Sequence, residues 1–274
     1  MKQINNYIVE RLHINKDIGN HYNYHPTTKD ELQELVDKLI EKRGNDANLN
    51  DIYTSEITDM DSIFDGSNFN GDISKWDVSN VKNMSFMFFN SNFNGYISDW
   101  DVSNVENMDS MFDGSNFNGD ISEWDVSNVK TMTSMFYESK FNGDISNWNV
   151  SNVENMDSMF MESLFTGENG DISKWNVSNV KDMNSMFMES KFNGDISEWD
   201  VSNVENMSFM FYDSKFTGDI SNWDVSNVKD MDYMFCTSKF NGNISKWNVS
   251  NDADIRHMFD KSPLEKNPPK WYKE

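Results

Sequence analysis

Phe117-Asn118-Gly119-Asp120-Ile121-Ser122-Glu123-Trp124-Asp125-Val126-Ser127-Asn128-Val129-Lys130-Thr131-Met132-Thr133-Ser134-Met135-Phe136-Tyr137-Glu138-Ser139-Lys140 is one unit of a repeat that fills most of the chain. Its tryptophan sets the period. Trp76, Trp100, Trp124, Trp148, Trp175, Trp199, Trp223, Trp247 and Trp271 stand 24 residues apart, with a single step of 27 between Trp148 and Trp175. The long step contains Glu168-Asn169-Gly170, and the pattern resumes in phase beyond it. Turns absorb inserted residues and packed segments do not, so the insertion marks a turn.

The two halves of the unit differ in periodicity. Ile121, Trp124 and Val126, following Gly119-Asp120, predict a short strand after a turn. Val129, Met132, Met135 and Phe136 have the spacing of one helical face, with Ser127 or Asn128 as its N-cap. The expected fold class is an α/β repeat solenoid of about nine 24-residue coils, each a short strand plus a short helix. One coil of this size cannot bury its own apolar face, so stacking on neighbours must supply the core.

Around the repeats the chain divides into an N-terminal helical segment and cap (1–50), the solenoid (51–262) and a C-terminal capping tail (263–274). Thr28-Lys29-Asp30-Glu31 is a capping box, and Leu32, Leu35, Val36, Leu39 and Ile40 line one face of a helix ending near Gly44. Covering the first coil is its expected role. A weaker amphipathic stretch from Gln3 to Leu12, through Ile4 and Ile8, either packs on that cap or serves as a docking peptide.

Composition narrows the function classes. The 274 residues include 46 acidic and 23 basic side chains, a formal charge of -23, so close approach to nucleic acid or an anionic membrane meets repulsion. Basic partners, cations or plain solubility fit better. Cys236 is the only cysteine, which rules out a disulfide within the chain, and its column holds Phe89, Asp113, Tyr137, Met161, Met188 and Tyr212 in other units, which argues against a catalytic thiol. Met1 to Asn6 carries no apolar leader or lipoprotein cysteine, and no run is long enough to cross a bilayer, so a cytoplasmic or virion-associated place is favoured over secretion.

Two columns flank the tryptophans and should face solvent. The residue after each tryptophan is Asp77, Asp101, Asp125, Asn149, Asn176, Asp200, Asp224 or Asn248. At a coil spacing of ~4.8 Å these form a ladder of carboxylates and amides, held by local backbone amides as Asx turns or open to cations or a basic partner. The residue before each tryptophan varies more: Lys75, Asp99, Glu123, Asn147, Lys174, Glu198, Asn222, Lys246. Variation confined to exposed positions suits recognition. The candidate ligand-binding residues are accordingly Lys75, Asp77, Asp99, Asp101, Glu123, Asp125, Lys174, Glu198, Asp200 and Asp224. A third column, Lys82, Glu106, Lys130, Glu154, Lys181, Glu205 and Lys229, alternates in sign and reads as a register device. The methionine columns read as core. No catalytic triad, paired-carboxylate, zinc or phosphate-loop pattern is present, so neither enzyme activity, cofactor nor metal is expected.

The recurring Trp-Asp-Val-Ser-Asn-Val-x-x-Met-x-x-Met-Phe, preceded by Phe-Asn-Gly-Asp-Ile-Ser, runs from about Ile57 to Phe259 and resembles the BspA-like surface-protein repeats of bacteria, the type found in mycoplasma lipoproteins. Ile73-x-x-Trp76-x-Val78 is similar to a leucine-rich-repeat core. The resemblance implies a leucine-rich-repeat-like fold and a role in adhesion or protein recognition. The leading expectation is therefore a non-enzymatic protein- or glycan-binding, adhesin-like repeat protein that uses its strand face. The alternatives are a structural component of a larger assembly such as a phage virion, assembling through the N-terminal segment or end coils, and an acidic mimic of nucleic acid. No nucleic-acid partner and no membrane insertion are expected.

Overall fold

The structure, a computed structural model, describes residues 22–273, so the stretch from Gln3 to Leu12 lies outside the described residues. The N-terminal helix forms as the sequence predicts. Helix α1, Lys29–Arg43, begins at Thr28, whose hydroxyl accepts from the Glu31 amide at 3.3 Å. The reciprocal half of the capping box is shifted by one residue, since the Glu31 carboxylate accepts from the Thr27 amide at 2.9 Å. Gly44, at φ 91, ends the helix by donating its amide to the Ile40 carbonyl. Leu32, Leu35, Val36 and Leu39 are buried in one core with the coils, and Lys29 is paired with Asp61 of the first coil.

The expectation of strand-plus-helix coils is corrected. Among the described residues the repeats hold no helix and no strand beyond isolated parallel bridges, and the only other helical element is a 3-10 turn at Pro263–Lys266. The leucine-rich-repeat-like α/β solenoid is therefore not the fold. Each coil is instead a chain of tight turns. Trp124 donates its amide to the Ile121 carbonyl at 3.2 Å and Val129 to that of Val126 at 3.0 Å, so these apolar residues are the ends of turns, not alternate residues of a strand.

The supposed helical face fails for a related reason. In an α-helix every amide returns to the carbonyl four residues back. Here Met135, Tyr137 and Ser139 close four-residue β-turns on Met132, Ser134 and Phe136, while Met132, Ser134, Phe136 and Glu138 donate to Asn155, Asp157, Met159 and Met161 of the following coil at 2.8–3.0 Å. Ser134 and Glu138 sit at φ 55 and 49, a left-handed backbone that no α-helix contains. Ser127 and Asn128 consequently cap nothing. The Ser127 amide turns to Asp125, and the Asn128 side chain donates to the Ser103 carbonyl of the preceding coil at 2.7 Å.

Sequence chemistry explains why turns win. With Tyr96 and Thr131 among the exceptions, the coils carry an Asx residue followed by apolar-x-x-apolar at three corners, as in Asp120-Ile121 to Trp124, Asp125-Val126 to Val129 and, in the preceding coil, Asn107-Met108 to Met111. In each, the Asx oxygen accepts from the amide two residues on, as Asp120 does from Ser122, Asp125 from Ser127 and Asn107 from Asp109. The turns then place both apolar ends inside. Phe88, Phe112, Phe136 and Phe160 stack one above another at 5.6–5.8 Å through the core. Single-residue parallel bridges run in series from Asp59 through Asn83, Asn107, Thr131 and Asn155 to Asp254. The insertion at Glu168-Asn169-Gly170 is held in an irregular loop, with Gly167 at φ 81 and the Asn169 side chain donating to the Asn142 carbonyl at 3.0 Å.

Candidate interaction surface beside the tryptophan column

The tryptophan column builds the floor of the candidate surface. Each indole is almost wholly buried from Trp76 to Trp247, and its Nε1 donates to a carbonyl one coil back: Trp124 to Ile97 at 3.1 Å, Trp148 to Ile121 at 3.0 Å, and so on to Trp271, which reaches Ile244 at 2.8 Å. An indole both fills the core and satisfies a buried carbonyl, which phenylalanine or leucine at the same position cannot do.

All ten candidate ligand-binding residues are exposed, and they lie in two columns on either side of this floor. They sit on turns, so the expected strand face is corrected to a turn face. Lys75, Asp99, Glu123, Lys174 and Glu198 precede the tryptophans, and Asp77, Asp101, Asp125, Asp200 and Asp224 follow them.

The two columns are not equivalent. The residue after tryptophan is committed to its turn: Asp77 accepts from the Ser79 amide at 3.1 Å and hydroxyl at 2.6 Å, and Asp101 and Asp200 do the same with Ser103 and Ser202. Bonds from the Ser127 and Ser226 hydroxyls and amides hold the Asp125 and Asp224 carboxyls below the usual range. Asn149 and Asn176 make the same amide contact to Ser151 and Ser178 at 3.2 and 3.1 Å. Either residue type therefore serves the turn, and the carboxylate's charge is surplus to it. The residue before tryptophan carries no such duty, and it is the position that varies.

The alternating charged column forms ion pairs between coils. Glu106 lies 2.5 Å from Lys130 and 3.6 Å from Lys82, Glu154 lies 2.5 Å from Lys181, and Glu205 is paired with Lys229. Hydrogen bonds from those lysines lower the Glu106, Glu154 and Glu205 carboxyls, yet all of these groups stand in solvent, where such pairs add little to stability. Among the described residues no group of histidine, cysteine, aspartate and glutamate has a metal-holding arrangement, and no helix is long and apolar enough to cross a membrane.

A surface feature escaped the sequence reading. In the left-handed column of Ser134, the chain places Phe86, Phe209, Tyr233 and His257. The signal was the replacement of serine by aromatic residues at one fixed position of the unit.

Stacked copies of one turn-built unit define a tandem-repeat protein. The family described as a Mycoplasma protein of unknown function, DUF285, matches residues 31–137, 90–168 and 161–271, and the chain belongs to that family. Comparison with curated proteins and with solved structures finds no match.

Proposed function

We propose that this chain is a non-enzymatic binding protein that recognises a protein or glycan partner through the turn face flanking the tryptophan column. The observation that carries the reading is the contrast between the two columns: a turn-committed position that is aspartate or asparagine from Asp77 to Asn248, beside a row in which Lys75, Asp99, Glu123, Asn147, Lys174, Glu198, Asn222 and Lys246 change sign and size from coil to coil. A rigid row of unlike side chains at regular spacing is suited to a partner read at several points at once. The resemblance to BspA-like surface repeats supports an adhesin-like role. So does the placement of α1 and the Pro263–Lys266 tail segment at the two ends of the chain's core, which leaves the lateral faces for contact.

The test is a pull-down and binding titration with Asp77→Asn, Asp101→Asn and Asp125→Asn combined. Native Asn149 and Asn176 already hold the same turn, so the triple variant removes charge and keeps the fold. Loss of a captured partner with an unchanged melting temperature supports the reading. Capture indifferent to these changes and to reversal of Glu123 and Glu198 to lysine counts against this face.

A further inference from the structure

The repeat carries a reactive dipeptide that the fold cannot give up. Asparagine is followed by glycine seven times, and six of these, Asn70, Asn94, Asn118, Asn142, Asn193 and Asn241, share the sequence Phe-Asn-Gly. Glycine has no side chain to shield its amide nitrogen, which can therefore reach the side-chain carbonyl carbon of the asparagine before it and displace ammonia. A Cβ at Gly95, Gly119, Gly143, Gly194, Gly218 or Gly242 would stand 2.5–2.9 Å from the ring of the phenylalanine two residues earlier. Those rings are fixed in the stacked core, so glycine is obligatory.

Stacking restrains most of these asparagines. Asn70 Oδ1 accepts from the Asn94 amide, Asn94 from Asn118 and Asn118 from Asn142, each at 2.8 Å. Asn142 accepts from the Thr166 amide at 3.0 Å and Asn193 from that of Thr217 at 2.8 Å. A side chain pinned by the next coil cannot swing its carbonyl carbon onto its own glycine nitrogen. Asn169 lies outside this ladder and is held differently: its side chain donates to the Asn142 carbonyl at 3.0 Å, and Gly170 is buried against the backbone of Gly143 and Ile145.

Asn241 ends the ladder. One coil further on, the equivalent residue is Glu265, and its amide is turned away to the Ser262 carbonyl at 3.2 Å where the chain enters the Pro263–Lys266 turn. One coil back stands Thr217, whose hydroxyl is directed to Asn193 at 3.2 Å. Among the described residues neither the amide nor the side chain of Asn241 has a hydrogen-bond partner. The residue is exposed, and Gly242 lines an open cleft of about 550 Å³ together with Leu264, Asn267, Pro268 and Lys270, which gives water access to the dipeptide.

We infer that Asn241–Gly242 is a self-modification site, at which the folded chain converts one asparagine to aspartate and isoaspartate while the other six are protected. The Gly242 amide nitrogen loses its proton to solvent base and attacks Cγ of Asn241. The new N–Cγ bond closes a succinimide ring, the Cγ–Nδ2 bond breaks, and the nitrogen takes up a proton and leaves as ammonia. Water then opens the ring at either carbonyl, which gives aspartate or, with the main chain rerouted through the side chain, isoaspartate. Both products place a negative charge beside the cleft that holds Lys270. Isoaspartate also lengthens the backbone between Phe240, fixed in the core, and Ile244, whose carbonyl holds the Trp271 indole, so the change bears on the seat of the C-terminal tail.

The experiment incubates the full chain in mildly alkaline buffer, folded and in concentrated urea, and follows the seven asparagines by peptide mapping and mass spectrometry, with enzymatic methylation marking isoaspartate. In the folded chain Asn241 converts about fivefold to tenfold faster than the ladder asparagines, the ratio expected when one hydrogen bond must break before attack. In urea the six Phe-Asn-Gly sites convert at similar rates, because their sequence is shared and the ladder is gone. Higher pH speeds the reaction at Asn241, as loss of the Gly242 proton requires. Asn241→Gln removes the product at that position and leaves the other sites slow. Folded conversion at Asn241 no faster than at Asn118, or fastest at Asn169, overturns the proposal. So does a preference for Asn241 that persists in urea, since it would then come from neighbouring sequence and not from the end of the ladder.

Discussion

Helix α1 and the turn corner of each coil start from nearly the same apolar spacing and end in different structures. Leu32, Leu35, Val36 and Leu39 recur at helical intervals and form a helix, while Val129, Met132, Met135 and Phe136 recur at similar intervals and form turns. Between the apolar residues α1 carries Gln33, Glu34, Asp37 and Lys38, whereas the coil carries Lys130, Thr131, Thr133 and Ser134. The second set is poor in helix formers and rich in side chains that bond to nearby backbone. The coil also has a neighbour of similar shape on each side, so alternate amides from Met132 to Glu138 gain partners in the next coil. Apolar spacing reports which residues face inward. The destination of the backbone donors decides the structure that brings them there.

The largest way to probe this difference is to remove an indole from the stack and a leucine from the helix. Trp124→Ala leaves a cavity and an unpaired Ile97 carbonyl, and a loss of about 3–5 kcal/mol is expected in urea denaturation. Trp124→Phe keeps most of the volume but still orphans the carbonyl, for about 1–3 kcal/mol. Because each coil contacts only its neighbours, the alanine variant should divide the stack and give a two-step transition. Leu35→Ala in α1, by contrast, loosens one end and leaves a single transition at a cost of about 2–3 kcal/mol. A silent Trp124→Phe would remove the indole bond from the account of what joins the coils.

Two carboxylates sharpen the contrast through pH. At the α1 interface, burial raises the Asp61 carboxyl, but bonds from Lys29, Ser85 and Ser62 and the charge of Lys29 outweigh it and leave the group lowered. Asp113, 8% exposed within the coils, has no such cation, and burial pushes it up to about 6, with Glu138 adding and a Ser110 bond opposing. The signs are opposite. Asp61 stabilises the fold above its unfolded pKa, and that contribution is lost as pH falls through its lowered folded value. Asp113 is protonated more readily in the folded chain, so its contribution declines as pH rises from about 4 to 6 and is fully unfavourable above that window. Asp113→Asn should therefore stabilise at pH 7 by about 1–3 kcal/mol and have little effect near pH 4. Thermal melts at the two pH values decide it, and equal shifts at both would place the penalty elsewhere than ionisation.

The period, the N-terminal helix and the inward columns were legible because each depends on which residues avoid water, and Trp76, Met84 and Phe88 recur on that ground alone. Coil conformation was not legible from apolar spacing, since a β-turn and a helical face both bring residues i and i+3 together. The chain did carry a signal: Asp-x-Ser or Asn-x-Ser at successive corners, as in Asp120-Ile121-Ser122 and Asp125-Val126-Ser127, marks Asx turns. For the candidate surface, exposure of the columns beside tryptophan followed from their place between buried residues. The rings of Phe209 and Tyr233 in the Ser134 column were hidden, because a helix has no left-handed position at which a ring would look out of place.

That backbone difference gives the smallest and most direct discrimination. Glycine inside a helix costs about 1 kcal/mol relative to good helix formers, so Glu34→Gly in α1 should lower stability by about that amount. At Ser134, with φ 55, glycine relieves the left-handed strain while adding freedom to the unfolded chain, and the two effects nearly cancel. The other left-handed column already uses Gly66 and Gly114 at φ 60 and 61 where later coils have Glu138 and Glu162, so the fold accepts the exchange. Ser134→Gly should thus stay within about 0.5 kcal/mol of the parent in paired denaturation curves. A loss at Ser134 as large as that at Glu34 would mean that the corner is held as a helix in solution, and the turn-built coil would fall with it.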